Sequence, residues 1–175
     1  MENKDAGIKE ENISLVLDSY EDIFSDFDPR SYSEKALSHD FLQECKRAAM
    51  DKKEGIELRL MVPKVKRNPA DEAKIKKRLK SHFQKHFNEK KREISMSRKA
   101  GLGWFFLGVV IMIFATLLYG HEGFLFNLFI IMAEPASWFF FWEGLDKAFI
   151  DIRDKRPDYE FYEKMADAET NFFDY

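Results

Sequence analysis

A single cysteine, Cys45, in a chain of 175 residues excludes an intrachain disulfide framework and fits a reducing compartment for the part folded outside lipid. The first twelve residues, MENKDAGIKEEN, contain no apolar run of the kind a cleavable signal peptide needs, so any insertion signal lies further along. No Gly-rich phosphate loop, nucleophile elbow or paired His/Cys cluster is present, which removes the usual sequence signatures of nucleotide-binding and hydrolytic chemistry. Internal repeats and low-complexity tracts are absent as well.

The most consequential absence is of charge. Gly101 to Tyr119 (GLGWFFLGVVIMIFATLLY) holds no ionisable side chain other than the terminal tyrosine phenol, and its nineteen residues as a helix reach ~28 Å, close to the hydrocarbon thickness of a bilayer. Phe124 to Trp142 is a second apolar run of the same length, interrupted by Asn127, Glu134 and Pro135. The polar break from Gly120 to Gly123 between them predicts a helical hairpin. Trp104, Tyr119, Trp138 and Trp142 lie toward the ends of the two runs, where amphipathic rings favour the headgroup level. The low overall mean hydropathy reflects charged arms that outweigh this block.

Charge on those arms sets the expected threading. Residues 64–99 hold fourteen Lys and Arg against four acids, a net of +10, ending in Arg98 and Lys99 at the first span; the break has none. The positive-inside rule then predicts a multi-pass protein of the cell inner or plasma membrane with both termini cytoplasmic. Arg92, Arg98 and Lys99 are the expected topology-setting and lipid-headgroup residues, with anionic lipid as their partner. Residues 100–175 hold five basic and twelve acidic residues, so the arms leaving a hairpin are expected to pair with one another. Nucleic acid is not an expected partner, because no recognition motif accompanies the basic stretch.

The organisation reads as follows. Residues 1–12 form a disordered N-terminus and 13–67 a small cytoplasmic α/β segment. Within that segment Ile13 to Leu17 and Gly55 to Pro63 read as strands around a helix over Ser33 to Met50, a spacing that suits a parallel pair. Asn68-Pro69-Ala70-Asp71-Glu72 opens a basic helix over 68–99, with Asn as cap and Pro in the first turn. Ile75, Leu79, Phe83 and Phe87 form its apolar stripe, and the absence of Gly or Pro before Gly101 lets it run unbroken into the hairpin at 100–142. An acidic helical tail over 143–175 follows, with Pro157 starting its last helix. The fold class is α+β on a two-helix transmembrane hairpin, and two strands alone are too few to stand without self-association or a partner.

Individual residues carry sharper expectations. Glu134, near the middle of the second span, costs at least ~2.5 kcal/mol if unpaired in hydrocarbon, and Pro135 predicts a kink or break beside it. Asn127, Glu134 and Pro135 are therefore read as a transmembrane polar face, with a bent segment reaching headgroup water as the competing reading. Gly101, Gly108 and Ala115, seven apart, read as a helix-packing seam against the second span or a neighbouring copy. His82 and His86 have metal-ligand spacing, but the basic field around them favours a packed pair, and no metal or cofactor is expected. Asp18, Glu21, Asp22, Asp26 and Asp28 follow the first strand and could serve a membrane-tethered metal-dependent enzyme or sensor. The favoured expectation is instead a non-enzymatic, self-associating membrane scaffold or pore with a cytoplasmic sensing or assembly domain.

Overall fold

Ile13 and Leu15 alternate with Ser14 and Val16 in β1 (Ile13–Val16), and Leu58, Leu60 and Val62 alternate with polar neighbours in β2 (Glu57–Val62). The computed structural model describes residues 12–50, 52 and 56–175. Among these, the expected disorder of the N-terminus falls almost wholly on residues outside the description; Asn12 lies inside it and is buried. The chain folds as two compact units, one formed by residues up to Asn88 together with Tyr159–Tyr175, the other by Glu89–Asp158.

The first unit is a small α/β body. β1 and β2 pair in parallel with Leu15 opposite Leu60, and the expected helix connects them as α1 (His39–Ala49). Of the two serines that could cap it, Ser33 and Ser38, Ser38 is the N-cap and the helix begins at His39. The preceding backbone is committed elsewhere: Phe24 and Leu37 form an antiparallel bridge, Ser38 N–H donates to Ile23, and Ser25 N–H to Ala36. A short 3-10 turn, Tyr20–Ile23, fills the connection after β1.

Two strands were expected, and three are present among the described residues. The last residues, read as the end of a helical tail, form β3 (Glu169–Asp174), parallel to β2 with Phe172 opposite Leu60. Strand order is β1-β2-β3, so β2 is paired on both sides from within the chain. The reason lies in register. Thr170 and Phe172 fall on the face occupied by Leu58 and Leu60, and Phe172 joins the buried cluster of Phe41, Cys45, Ile75, Leu79 and Phe83. The opposite face carries Ser14, Val16, Arg59, Met61 and Phe173, and Val16 is 66% exposed.

The helix predicted from Asn68 is α2 (Pro69–Leu118), unbroken for 50 residues. Asn68 Oδ1 accepts from Ala70 N–H at 3.0 Å, as an N-cap should, and Ile75, Leu79 and Phe83 are buried in the first unit while Phe87 packs on its rim. From Glu89 onward α2 belongs to the second unit. There it is followed by α3 (Phe124–Leu145), a π-helical turn at Asp146–Ile150, and α4 (Asp151–Asp167), whose part from Tyr159 returns to the first unit. Of the kink or break expected at Pro135, the break is absent, since α3 continues through it, and Pro157 lies within α4 rather than starting it. A departure from α-helical bonding falls at the π turn, Asp146–Ile150. Ser137 Oγ donates to the Glu134 carbonyl at 2.7 Å, a side-chain bond in the turn that proline disturbs.

Candidate functional site

In the second unit Gly101, Gly108 and Ala115 face α3 and the turn beyond it. A Cβ on Gly101 would lie 2.7 Å from Ala148 N and 2.8 Å from Gly144 O, and one on Gly108 would lie 2.8 Å from both Phe141 N and Ser137 O. The seam therefore closes within one chain. Its other half was missed in the sequence reading: Ala133, Ser137, Gly144 and Ala148, of which Ser137 is 2% exposed. The pairs Ala133/Ser137 and Gly144/Ala148, each four apart, were the available signal.

Close backbone approach along the seam leaves the large side chains facing outward. Phe106, Phe114, Leu117, Leu125, Ile131 and Phe139 are all exposed, and α2 and the helix beginning at Phe124 are long and apolar enough to cross a membrane. Trp104 stacks on Phe140 across the pair, with ring centres 5.1 Å apart and planes 12° from parallel.

Beside this seam lies a cavity of about 790 Å³ lined by Met112, Thr116, Tyr119, Glu134, Pro135 and Trp138, among others. Thr116 Oγ1 donates to the Met112 carbonyl, whereas the Glu134 carboxylate has no hydrogen bond or ion pair among the described residues. Asn127, seven residues before Glu134, does not line the cavity. Arg98 borders a second, smaller cavity with Leu102, Phe105 and Phe149, while Arg92 and Lys99 are exposed on α2.

The acidic residues after β1 do not converge. Asp22 accepts from the N–H groups of Asp18 and Ser19 at 2.7 and 3.0 Å, capping the 3-10 turn. Glu21 binds Lys35 and the Tyr32 hydroxyl, which together hold its carboxyl below the usual range. Asp28 takes Arg30 in a bidentate pair and accepts from Ala36 N–H, and its carboxyl is likewise held well down. No group of three or more metal-capable side chains occurs among the described residues.

His82 and His86 pack ring to ring, 4.3 Å between centres, and His86 stacks on Tyr162. His82 Nε2 is buried without a partner; burial first, then the positive neighbours His86, Arg78 and Lys85, push its pKa down to about 4. Burial also pushes the Cys45 thiol up to about 12, which makes it inert at neutral pH.

Contacts of the basic helix and its approach include ion pairs to acidic residues as well as bonds to neutral oxygens. Lys90 approaches Asp158 at 3.9 Å and Arg67 approaches Asp174 at 3.6 Å, but Arg78 donates to the Lys35 carbonyl, Lys80 to the Ala166 carbonyl and Lys76 to Asn171 Oδ1. One buried polar network is one that no local pattern revealed. The Tyr20 hydroxyl donates to Glu72 Oε1 at 2.9 Å and accepts from Asn68 N–H at 2.8 Å, and Arg67 clasps both Glu72 oxygens at 2.9 and 3.0 Å. Arg67 lowers the Glu72 pKa, and burial raises that of Tyr20. This network ties the start of α2 to the 3-10 turn and, through Arg67, to the end of β3.

No protein-family model, no curated protein and no solved structure matches this chain.

Proposed function

We propose that the chain is a non-enzymatic integral membrane protein whose two apolar helices form a hairpin anchor and whose α/β unit acts as a cytoplasmic sensing or assembly domain. The observation that carries this reading is the outward apolar surface of the second unit. Its small residues are used for helix contact, so its Phe, Leu and Ile side chains face whatever surrounds the pair, at a scale soluble monomers avoid. Arg92, Arg98 and Lys99 then meet anionic headgroups at the cytoplasmic end of α2, and both termini lie on that side in an inner or plasma membrane.

The seam's closure within one chain favours a scaffold over a pore, since a pore would need several hairpins around a shared path. Self-association no longer follows from an incomplete sheet. It rests instead on the sheet face left uncovered by the described residues, where Val16, Met61 and Phe173 share one register row; all-parallel sheets are ordinarily covered on both faces. A second copy is the occupant this reading assigns to that face. The enzymatic alternative loses ground because Glu21, Asp22 and Asp28 already hold intrachain partners.

Alkaline carbonate extraction should leave the protein in the membrane fraction, and reporter fusions at Met1 and Tyr175 should both read cytoplasmic. Release by carbonate, or a reporter signal from the far side, defeats the anchor or its threading. Val16→Lys should lower the oligomeric mass in detergent while leaving the fold intact; an unchanged mass removes the sheet face from the interface.

A further inference from the structure

We propose that the cavity between α2 and α3 is a binding site for a lipophilic organic cation, with the Glu134 carboxylate as counter-ion and Trp138 and Tyr119 as the aromatic walls. The inference rests on the reading of these helices as membrane-spanning. Three features support it together. The volume, about 790 Å³, is that of a site for a molecule of drug-like size. Glu134 is the one carboxylate on its lining and has no partner among the described residues, so a positive ligand supplies the charge that the surrounding apolar side chains cannot. Trp138 and Tyr119 place aromatic rings on the lining, and such rings attract cations lacking N–H donors as readily as those that have them.

An anion or a strongly hydrated inorganic cation fits less well. The Thr116 and Ser137 hydroxyls on the lining already donate to the carbonyls of Met112 and Glu134, which leaves an anion only the Tyr119 hydroxyl and the Trp138 indole N–H beside the Glu134 carboxylate, and leaves a metal too few free oxygens to replace its water. A lipid headgroup is disfavoured by position. Glu134 lies ten residues into α3, about 15 Å along its axis from Phe124, and a choline there would carry its phosphate into the apolar zone with it. The ligand is therefore a free, delocalised or fully substituted cation able to enter from the bilayer.

The test uses the full chain in lipid nanodiscs and two probes of the same shape and opposite charge, tetraphenylphosphonium and tetraphenylborate. The phosphonium should bind saturably by equilibrium dialysis, and the borate should take up no more than empty nanodiscs do. Glu134→Gln should weaken phosphonium binding by at least about tenfold, Glu134→Asp should retain most of it, and Trp138→Leu should weaken it several-fold. Equal phosphonium binding by the native protein and Glu134→Gln, or saturable uptake of both probes, overturns the proposal. A disulfide-linked dimer of Thr116→Cys that forms whether or not phosphonium is present places a second copy in the cavity and overturns it too. Insertion is read separately by carbonate extraction: release there defeats the membrane reading, whereas an inserted protein with no charge selectivity defeats the cation site alone.

Discussion

Gly144→Ala is the sharpest test of the helix pair. A Cβ at that position would sit 2.4 Å from Phe105 N and 2.7 Å from both Gly101 O and Phe105 Cα. Ordinary contacts settle near 3.5–4.0 Å, so the overlap is about 1 Å, and all three atoms are backbone. None can rotate aside. Relief has to come from separating α2 and α3, which loosens the contacts of Gly108 and Ala115 along the same seam. Overpacking of this kind costs about 1–3 kcal/mol, and the helix propensity gained by alanine offsets at most about 1 kcal/mol of it. The control is Gly103→Ala. It has nothing within 4 Å of its added Cβ and should be neutral or slightly stabilising. Unfolding in mixed micelles by rising SDS, followed by tryptophan fluorescence, reports the separation because Trp104 stacks on Phe140 across the pair. Gly101→Ala and Gly144→Ala open the same gap, so the double variant should lose less than the sum of the two. If Gly144→Ala is as stable as Gly103→Ala, the helices do not approach as described.

Other consequences concern the α/β unit. His82 has its pKa lowered from 6.5 to about 4 in the folded state, so the unfolded chain takes up a proton first. Stability should therefore fall by up to about 1.4 kcal/mol per pH unit as pH drops from about 6.5 toward 4; His82→Phe should flatten this limb in urea unfolding at pH 7, 6 and 5, and an unaltered slope refutes the assignment. Glu72→Gln should destabilise the unit by about 1–3 kcal/mol through loss of its charge-assisted bonds to Arg67. Because the Glu72 pKa is lowered by folding, its contribution is full above the ordinary carboxylate value and is lost as pH falls below it, so the variant should also show a shallower acid limb. Deleting residues 169–175 removes β3 and uncovers Leu60 and Val62, and limited proteolysis should then cut the remaining unit rapidly; a protease-resistant product would show that two strands suffice.

What the chain's own pattern determined is whatever depends on near neighbours. The absence of charge from Gly101 to Tyr119, the cap at Asn68 and the four-residue stripe of Ile75, Leu79 and Phe83 are local, and they led directly to α2 and the apolar hairpin. Alternation around Leu58 and Leu60 likewise marked β2, and the length of the intervening segment suited the parallel pairing that forms, while leaving an antiparallel pair open. The spacing of Gly101, Gly108 and Ala115 identified a close-packing face, though not what it packs against.

Tertiary structure decided the rest. ETNFFD near the end of the chain is too short to declare itself a strand and becomes one only because the returning chain brings it to the edge of β2. Glu72 looks like any first-turn acid until Tyr20, far earlier in the chain, reaches it. The acids after β1 resemble a metal site in sequence, yet their separate partners, Lys35, Arg30 and backbone N–H groups, are visible only once the loop is folded. Glu134 was conspicuous from its type alone, because an ionisable group in an apolar run needs a reason. Its cavity was not, because the opposing wall of Met112, Thr116 and Tyr119 comes from another helix, and the distance between two helices is set by the glycines that let their backbones meet.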